Sequence, residues 1–174
     1  MIRENIILIG FMGSGKSSLG KKLARKLGYE FLDTDTRIEE REGMSVAEIF
    51  QEKGEEYFRR CERELLDRLE AGKGLLIACG GGFPCQEGMM EGLKQLGLTV
   101  YLSLSAKELS KRLKESKQAR PLIVNMQGEV LEEYISHKLE DRRKYYEQAD
   151  LSLFGRDQRI KEASRIIRSH LLEN

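Results

Sequence analysis

Apolar residues follow two rhythms along the chain. Short, nearly unbroken apolar runs occupy Asn5–Ile9 (NIILI), Leu75–Cys79 (LLIAC) and Leu98–Leu104 (LTVYLSL). Tyr29–Asp33 (YEFLD) and Asp150–Phe154 (DLSLF) are more mixed versions of the same pattern. The runs Asn5–Ile9 and Leu75–Cys79, each leading into glycine, predict strands buried on both faces, as in a parallel sheet, and the other three segments read as further strands. Between them the period becomes helical. Leu19, Leu23 and Leu27 share one face of Ser17–Leu27, and Gly28 is a natural C-terminal stop. Helices are also predicted over Thr36–Arg41, Ser45–Lys53, Glu55–Leu69, Glu87–Leu96, Ser105–Lys114, Glu129–Gln148 and Gln158–Leu172. Ser45 with Glu48, and Ser105 with Glu108, form capping-box patterns. Residues 117–126 read as a polar loop around Arg120-Pro121. Strands alternating with helices predict an α/β layer fold with a parallel sheet.

Length and charge narrow the class. A chain of 174 residues suits one domain spanning residues 1–174. Thirty basic against 29 acidic side chains leave a net charge of +1, which argues against a strong overall attraction to nucleic acid or an anionic membrane. Apolar stretches fall short of the roughly 18 residues of a transmembrane helix, and the N-terminus lacks the pattern of a signal peptide, so a cytoplasmic location is expected. Cys61, Cys79 and Cys85 match neither a CxxC motif nor a zinc ligand set, and read as reduced thiols. His137 and His170 have no partner motif.

The sharpest motif is Gly10–Ser17 (GFMGSGKS), a full match to GxxxxGK[ST] between a predicted strand and a predicted helix. Glycines let the backbone wrap a phosphate, and N–H groups at the helix start then face the anion. Gly13, Ser14, Gly15, Lys16, Ser17 and Ser18 are thus candidates for binding a nucleoside triphosphate. Lys16 would neutralise the β- and γ-phosphates, and Ser17 would ligate Mg²⁺. The absence of NKxD argues against guanine recognition of the small-GTPase type. The third strand ends in Ala78-Cys79-Gly80, not in the aspartate of motor or transporter ATPases.

An acidic pair, Asp33-Thr34-Asp35, follows the second predicted strand. Strand ends in open α/β sheets point into the ligand crevice, so one carboxylate would serve the Mg²⁺ shell and the other the acceptor. The same tripeptide equally suits a helix N-cap. Phe58-Arg59-Arg60-Cys61-Glu62 puts Arg59 and Glu62 on one helix face, where a surface pair would be worth only about 0–1 kcal/mol. Gly80-Gly81-Gly82 gives up packing at the end of a buried strand, which suits close approach to a ligand. Residues 107–120 carry six basic and two acidic side chains, consistent with a basic lid that includes Arg120 or with a solvated helix face. Arg142 and Arg143 precede Tyr145-Tyr146, and either would suit recognition of a carboxylate. Together these residues suggest a kinase acting on a small hydroxy acid.

The ordered set GFMGSGKS, Leu32–Asp35 (LDTD), Phe58–Glu62 (FRRCE), Gly80–Gly82, Arg120-Pro121-Leu122, and Arg142 with Tyr146 resembles the shikimate kinase family almost end to end. That resemblance implies a three-layer, nucleoside-monophosphate-kinase-like P-loop fold. It has a five-stranded parallel sheet, a mobile lid near residues 111–126 and a shikimate-binding helical region near residues 34–62. It implies ATP-dependent phosphorylation of the shikimate 3-hydroxyl, in the route to chorismate and aromatic amino acids, with Mg²⁺, by a monomer. It assigns shikimate contacts to Asp35, Arg59, Gly81 with its neighbours Gly80 and Gly82, and Arg142. It assigns the metal to Ser17 and Asp33, the phosphates to Arg120, the adenine flank to Arg112, and the anchoring of Arg59 to Glu62. Lys16, Asp35 and Arg120 are the catalytic candidates. The chain departs from the family's Arg-x-Pro-Leu-Tyr at Arg142–Tyr146 (RRKYY), and residues 155–160 lack the proline that backs adenine in relatives. Competing readings are a kinase for another polyol acid such as gluconate, a non-catalytic ATP-binding module, and a nucleic-acid patch on the basic lid.

Overall fold

The computed structural model describes residues 4–115, 126 and 128–173. Five strands, β1 (Asn5–Ile9), β2 (Glu30–Asp33), β3 (Leu75–Ala78), β4 (Gly97–Ser103) and β5 (Leu151–Phe154), form a parallel sheet in the order β2-β3-β1-β4-β5. β1 is buried along its whole length, as its unbroken apolar run requires. Alternate residues then serve opposite faces. Ile6 and Leu8 pack with Leu19, Leu23 and Leu27 of α1 (Lys16–Leu27) and with Ala163 and Ile167 of α8 (Ile160–Glu173). Ile7 and Ile9 pack on the other face against α2 (Thr34–Glu42), α3 (Val46–Glu52), α4 (Gly54–Arg68), α5 (Met89–Leu96), α6 (Ala106–Glu115) and α7 (Gly128–Tyr146). The three layers of the expected α/β/α fold are present, each face of the sheet closed by its own apolar cluster.

Buried Asn5 ties the lower ends of these elements together. Its amide donates to the carbonyls of Glu70 (2.8 Å) and Leu96 (3.2 Å), and its Oδ1 accepts from the Leu75 N–H (3.0 Å). At the opposite end, the carboxyl ends of the strands, the order reverses beside β1: the chain crosses from β1 to β2 on one side, returns through β3, and then passes over β1 to β4 on the other. Such a switch point leaves a crevice for a ligand.

Several boundaries differ from those the pattern predicts. Helix α2 begins at Thr34, two residues early, because Asp33 caps it: one carboxylate oxygen accepts from the N–H groups of Asp35 and Thr36. The predicted helix over Glu87–Leu96 begins only at Met89, since Gly88 has φ +74° and ends the approach. A 3-10 turn, Phe83–Cys85, stiffened by Pro84, precedes it. A second 3-10 turn, Gly155–Gln158, delays α8 to Ile160, and the Gln158 amide bridges the carbonyls of Ser103 and Leu153. The capping boxes at Ser45 and Ser105 form as predicted. Arg120 and most of the expected lid lie outside the described residues.

Candidate active site

The phosphate loop leaves β1 at Gly10 and becomes α1 at Lys16. Gly15, the residue before the helix, has φ +96°, a conformation that a Cβ would strain. That turn presents the first N–H groups of α1 to the crevice, and α1 has no acidic residue in its first turn to compete for them. The buried Lys16 ammonium donates to the carbonyls of Gly10 (2.8 Å) and Phe11 (2.9 Å), and lies 3.4 Å from Ser14 Oγ. Ser17 and Ser18 are exposed on the first turn. Arg112 of α6 donates to the Ser14 carbonyl (2.9 Å), so the flanking arginine reaches the loop itself.

Asp33 serves two elements at once. While its Oδ1 caps α2, its Oδ2 accepts the Ser17 hydroxyl at 2.6 Å. The capping reading of the acidic tripeptide thus holds at Asp33, and the same side chain also contacts Ser17 of the phosphate loop. Buried Thr34 faces inward, and its Oγ1 accepts the Gly80 N–H (2.9 Å), which fastens α2 to the end of β3. Asp35 follows on the crevice side. Its Oδ1 is buried and has no hydrogen-bond partner among the described residues. Burial, reinforced by the nearby Asp33 charge, pushes its carboxyl up to about 6, against the pull of Lys16.

The glycine run explains itself by contact. A Cβ on Gly80 would lie 2.5 Å from Asp35 Oδ1, and one on Gly82 would lie 2.6 Å from both terminal nitrogens of Arg59. One on Gly81 would lie 3.2 Å from the Met12 nitrogen of the phosphate loop and 3.5 Å from Arg142 Nη1. The run is thus a backbone floor with Asp35, Arg59, Arg142 and the phosphate loop crowded around it.

Arg59 and Glu62 are not a surface pair. Glu62 is fully buried, and its Oε2 accepts Arg59 Nη1 at 2.8 Å, while Glu55 takes the other edge of the guanidinium at 2.8 Å. Gln86 adds a donor to the same Glu62 oxygen at 2.7 Å. Burial raises the Glu62 carboxyl to about 7, opposed by the Arg59 charge and hydrogen bond.

The two candidate arginines of α7 separate cleanly. Arg142 stands over the Phe11 ring, 5.2 Å from its centroid, and reaches toward Gly81. Arg143 is 60% exposed and pairs with Glu140 and Glu147 of its own helix. Fully buried Tyr146 donates its hydroxyl to the Gly81 carbonyl (2.7 Å), pinning the floor from below. Thr34, Gln86 and the Phe11 ring are site residues that the sequence reading missed. Thr34, as the central residue of the acidic tripeptide, and Phe11, inside the phosphate-loop motif, carried a local signal, and Gln86 carried none.

Among the described residues, no cluster of three or more His, Cys, Asp and Glu side chains could hold a metal by itself. One hydroxyl and one carboxylate in contact, Ser17 and Asp33, fit a hard cation that brings most of its own oxygen ligands as water and phosphate.

A phosphate loop and an acid-and-arginine floor share one crevice at the strand ends, which defines a P-loop kinase for a small anionic acceptor. The shikimate kinase family model matches residues 12–171. A shikimate kinase of Parabacteroides distasonis is 41% identical over 149 residues, covering 86% of each chain. Among solved structures, the shikimate kinase of Bacteroides thetaiotaomicron superposes with a TM-score of 0.88 at 37% identity, over 98% of this chain and 99% of that one. That of Acinetobacter baumannii, in complex with shikimate, gives 0.85 at 35% identity, over 99% and 94%. The chain belongs to the shikimate kinase family.

Proposed function

We propose that this enzyme transfers the γ-phosphoryl group of ATP to the 3-hydroxyl of shikimate, giving shikimate 3-phosphate and ADP on the route to chorismate and aromatic amino acids. The observation that carries the reading is the buried, unpartnered Asp35 oxygen at the glycine floor, with Arg59 and Arg142 beside it. A buried acceptor without a donor costs about 1–3 kcal/mol, and a substrate hydroxyl is the donor that the crevice lacks. The two guanidiniums suit the acceptor carboxylate: Arg59, although held by Glu62 and Glu55, and Arg142 both border the glycine floor where that group would lie.

In the reaction, the 3-hydroxyl oxygen forms a bond to the γ-phosphorus as the bond from that phosphorus to the β–γ bridging oxygen breaks. ADP leaves with the bridging oxygen. Asp35 orients the hydroxyl and receives its proton. Because the transition state is loose, placement contributes more than base strength. Lys16 and the N–H groups of residues 13–18 hold the phosphates, Arg112 flanks the nucleotide, and Arg120, which lies outside the described residues, is assigned to the phosphates by the family resemblance. Mg²⁺ arriving with ATP would be held by Ser17 directly and by Asp33 through water, and would neutralise charge on the β- and γ-phosphates. On this reading the protein acts as a cytoplasmic monomer. No helix among the described residues is long and apolar enough to cross a membrane.

The test is ADP release by purified protein with Mg²⁺ and ATP, with shikimate, with gluconate, and with neither. Release that requires shikimate and is abolished by Lys16→Ala supports the reading. Stimulation by gluconate alone would replace it with the other polyol acid.

A further inference from the structure

If the acceptor carboxylate sits against Arg59, as proposed above, the aim of that guanidinium sets acceptor affinity. Arg59 and Glu62 lie three residues apart on α4. Such a pair is worth only a few tenths of a kcal/mol on an exposed helix and has several rotamers open to it. Here a donor from another element selects one. Gln86 Nε2 lies 2.7 Å from Glu62 Oε2, the oxygen that also takes Arg59 Nη1. The amide orientation follows from chemistry, since the reverse would set its oxygen against a carboxylate oxygen.

The Gln86 backbone is itself held. It closes the 3-10 turn Phe83–Cys85, whose N–H groups at Phe83 and Cys85 donate to the Gly80 and Gly82 carbonyls. Its own carbonyl accepts the first N–H of α5, from Met89 (3.2 Å). One segment therefore shapes both sides of Arg59: Gly82 leaves the space for the guanidinium, and Gln86 fixes the carboxylate behind it.

We propose that Gln86 is a positioning residue for the acceptor. Its side chain holds Glu62, and through Glu62 holds Arg59, in the orientation that receives the substrate carboxylate. Gln86 touches no reacting atom.

The charges around Glu62 make this measurable. Arg59 faces it on α4, with Glu55 on the far side of that guanidinium, and Asp35 faces it from α2. Cys79 and Cys85 face it from the segment after β3. Burial raises the Glu62 carboxyl, and the Arg59 and Gln86 donors lower it. As pH falls through about 7, Glu62 takes up a proton and releases its hold on Arg59. Without the Gln86 donor, that release begins at higher pH.

The experiment uses Gln86→Leu, which removes the donor and keeps most of the volume, with Gln86→Met as a second variant should the first not fold. Steady-state kinetics are run from pH 6 to 9. The Glu62 carboxyl is titrated by carbon NMR without substrate, and assigned with Glu62→Gln. Expected are an approximately tenfold rise in shikimate KM at pH 7, with kcat within about twofold and ATP KM unchanged. The acid limb of shikimate KM and the Glu62 titration should both move up by about one pH unit. In a Glu62→Gln background, Gln86→Leu should add less than about twofold, because the two side chains act in series. An unmoved Glu62 titration, or an equal loss of kcat at every pH, would overturn the proposal. The titration needs no shikimate, so it decides the role of Gln86 even if the native enzyme proves to prefer another acceptor.

Discussion

Single side chains in this site are chosen by what they touch, and two neighbours can differ completely. Arg142 lies over Phe11 beside the glycine floor, whereas Arg143 is spent on glutamates of its own helix. Arg142→Ala is expected to raise the shikimate KM by about tenfold to a hundredfold, the cost of a lost charge-assisted contact, and Arg143→Ala by less than about twofold. Steady-state kinetics on the pair would check this, and the reverse ranking would move the carboxylate contact to Arg143. Asp35 differs again, because its buried, unpartnered oxygen lies against Gly80 of the glycine floor, where the proposed acceptor would sit. Asp35→Asn is expected to lower kcat by about a hundredfold or more while ATP KM changes by less than about threefold. Equal losses in both would remove Asp35 from the acceptor side.

At the scale of elements, the segment that follows β3 organises the acceptor side. Its N–H at Gly80 fastens α2 through Thr34, its floor at Gly81 rests on Tyr146 of α7, and its turn delivers Gln86 to α4. Three helices are thereby referenced to one short piece of backbone. The glycines in it are there for close approach. A methyl group at Gly82 would meet the Arg59 guanidinium at 2.6 Å, and the guanidinium, being the end of a flexible side chain, would move. Gly82→Ala should therefore leave the melting temperature nearly unchanged and raise shikimate KM by at least about tenfold, since displacement of about 1 Å at a binding group is costly. Calorimetry beside kinetics separates the two effects. A large fall in melting temperature with unchanged KM would assign the glycine to folding instead.

For the molecule as a whole, the site works against stability. Glu62 is held up from 4.5 to about 7, first by burial. Between those values the folded protein binds more protons than the unfolded chain, so stability is highest at the acid end and declines as pH rises through that window. Burying the ionised form is unfavourable for the fold, yet that form anchors Arg59. Glu62→Gln should remove this slope. Relative to the native protein, its melting temperature is expected to climb by several degrees between pH 5 and pH 8, as about 2–4 °C corresponds to each kcal/mol at this chain length. A constant difference across that range would show that Glu62 does not change protonation on folding.

Strand positions, the phosphate loop and the order of the motifs are properties of neighbours in sequence. They rest on local pattern: an unbroken apolar run must be buried on both faces, and GFMGSGKS carries its own turn and helix start. Hence five strands, their parallel arrangement and the family resemblance were legible before any coordinates. Local pattern also left ties that it had no means to break. Asp33 caps α2 and also accepts the Ser17 hydroxyl, and Glu62 of the Arg59–Glu62 pair is fully buried, where the same spacing on an exposed face would mean little. The 3-10 turn at Phe83–Cys85, the pairing of Arg143 with Glu140 and Glu147 and the hold of Gln86 on Glu62 came only from the tertiary structure. The physical reason is separation along the chain. Gln86 meets Glu62 across 24 residues, Gly80 meets Thr34 across 46, and Tyr146 meets Gly81 across 65. No local period encodes such contacts. They exist because the parallel sheet brings its strand ends to one edge, and the side chains that follow those ends then find each other there.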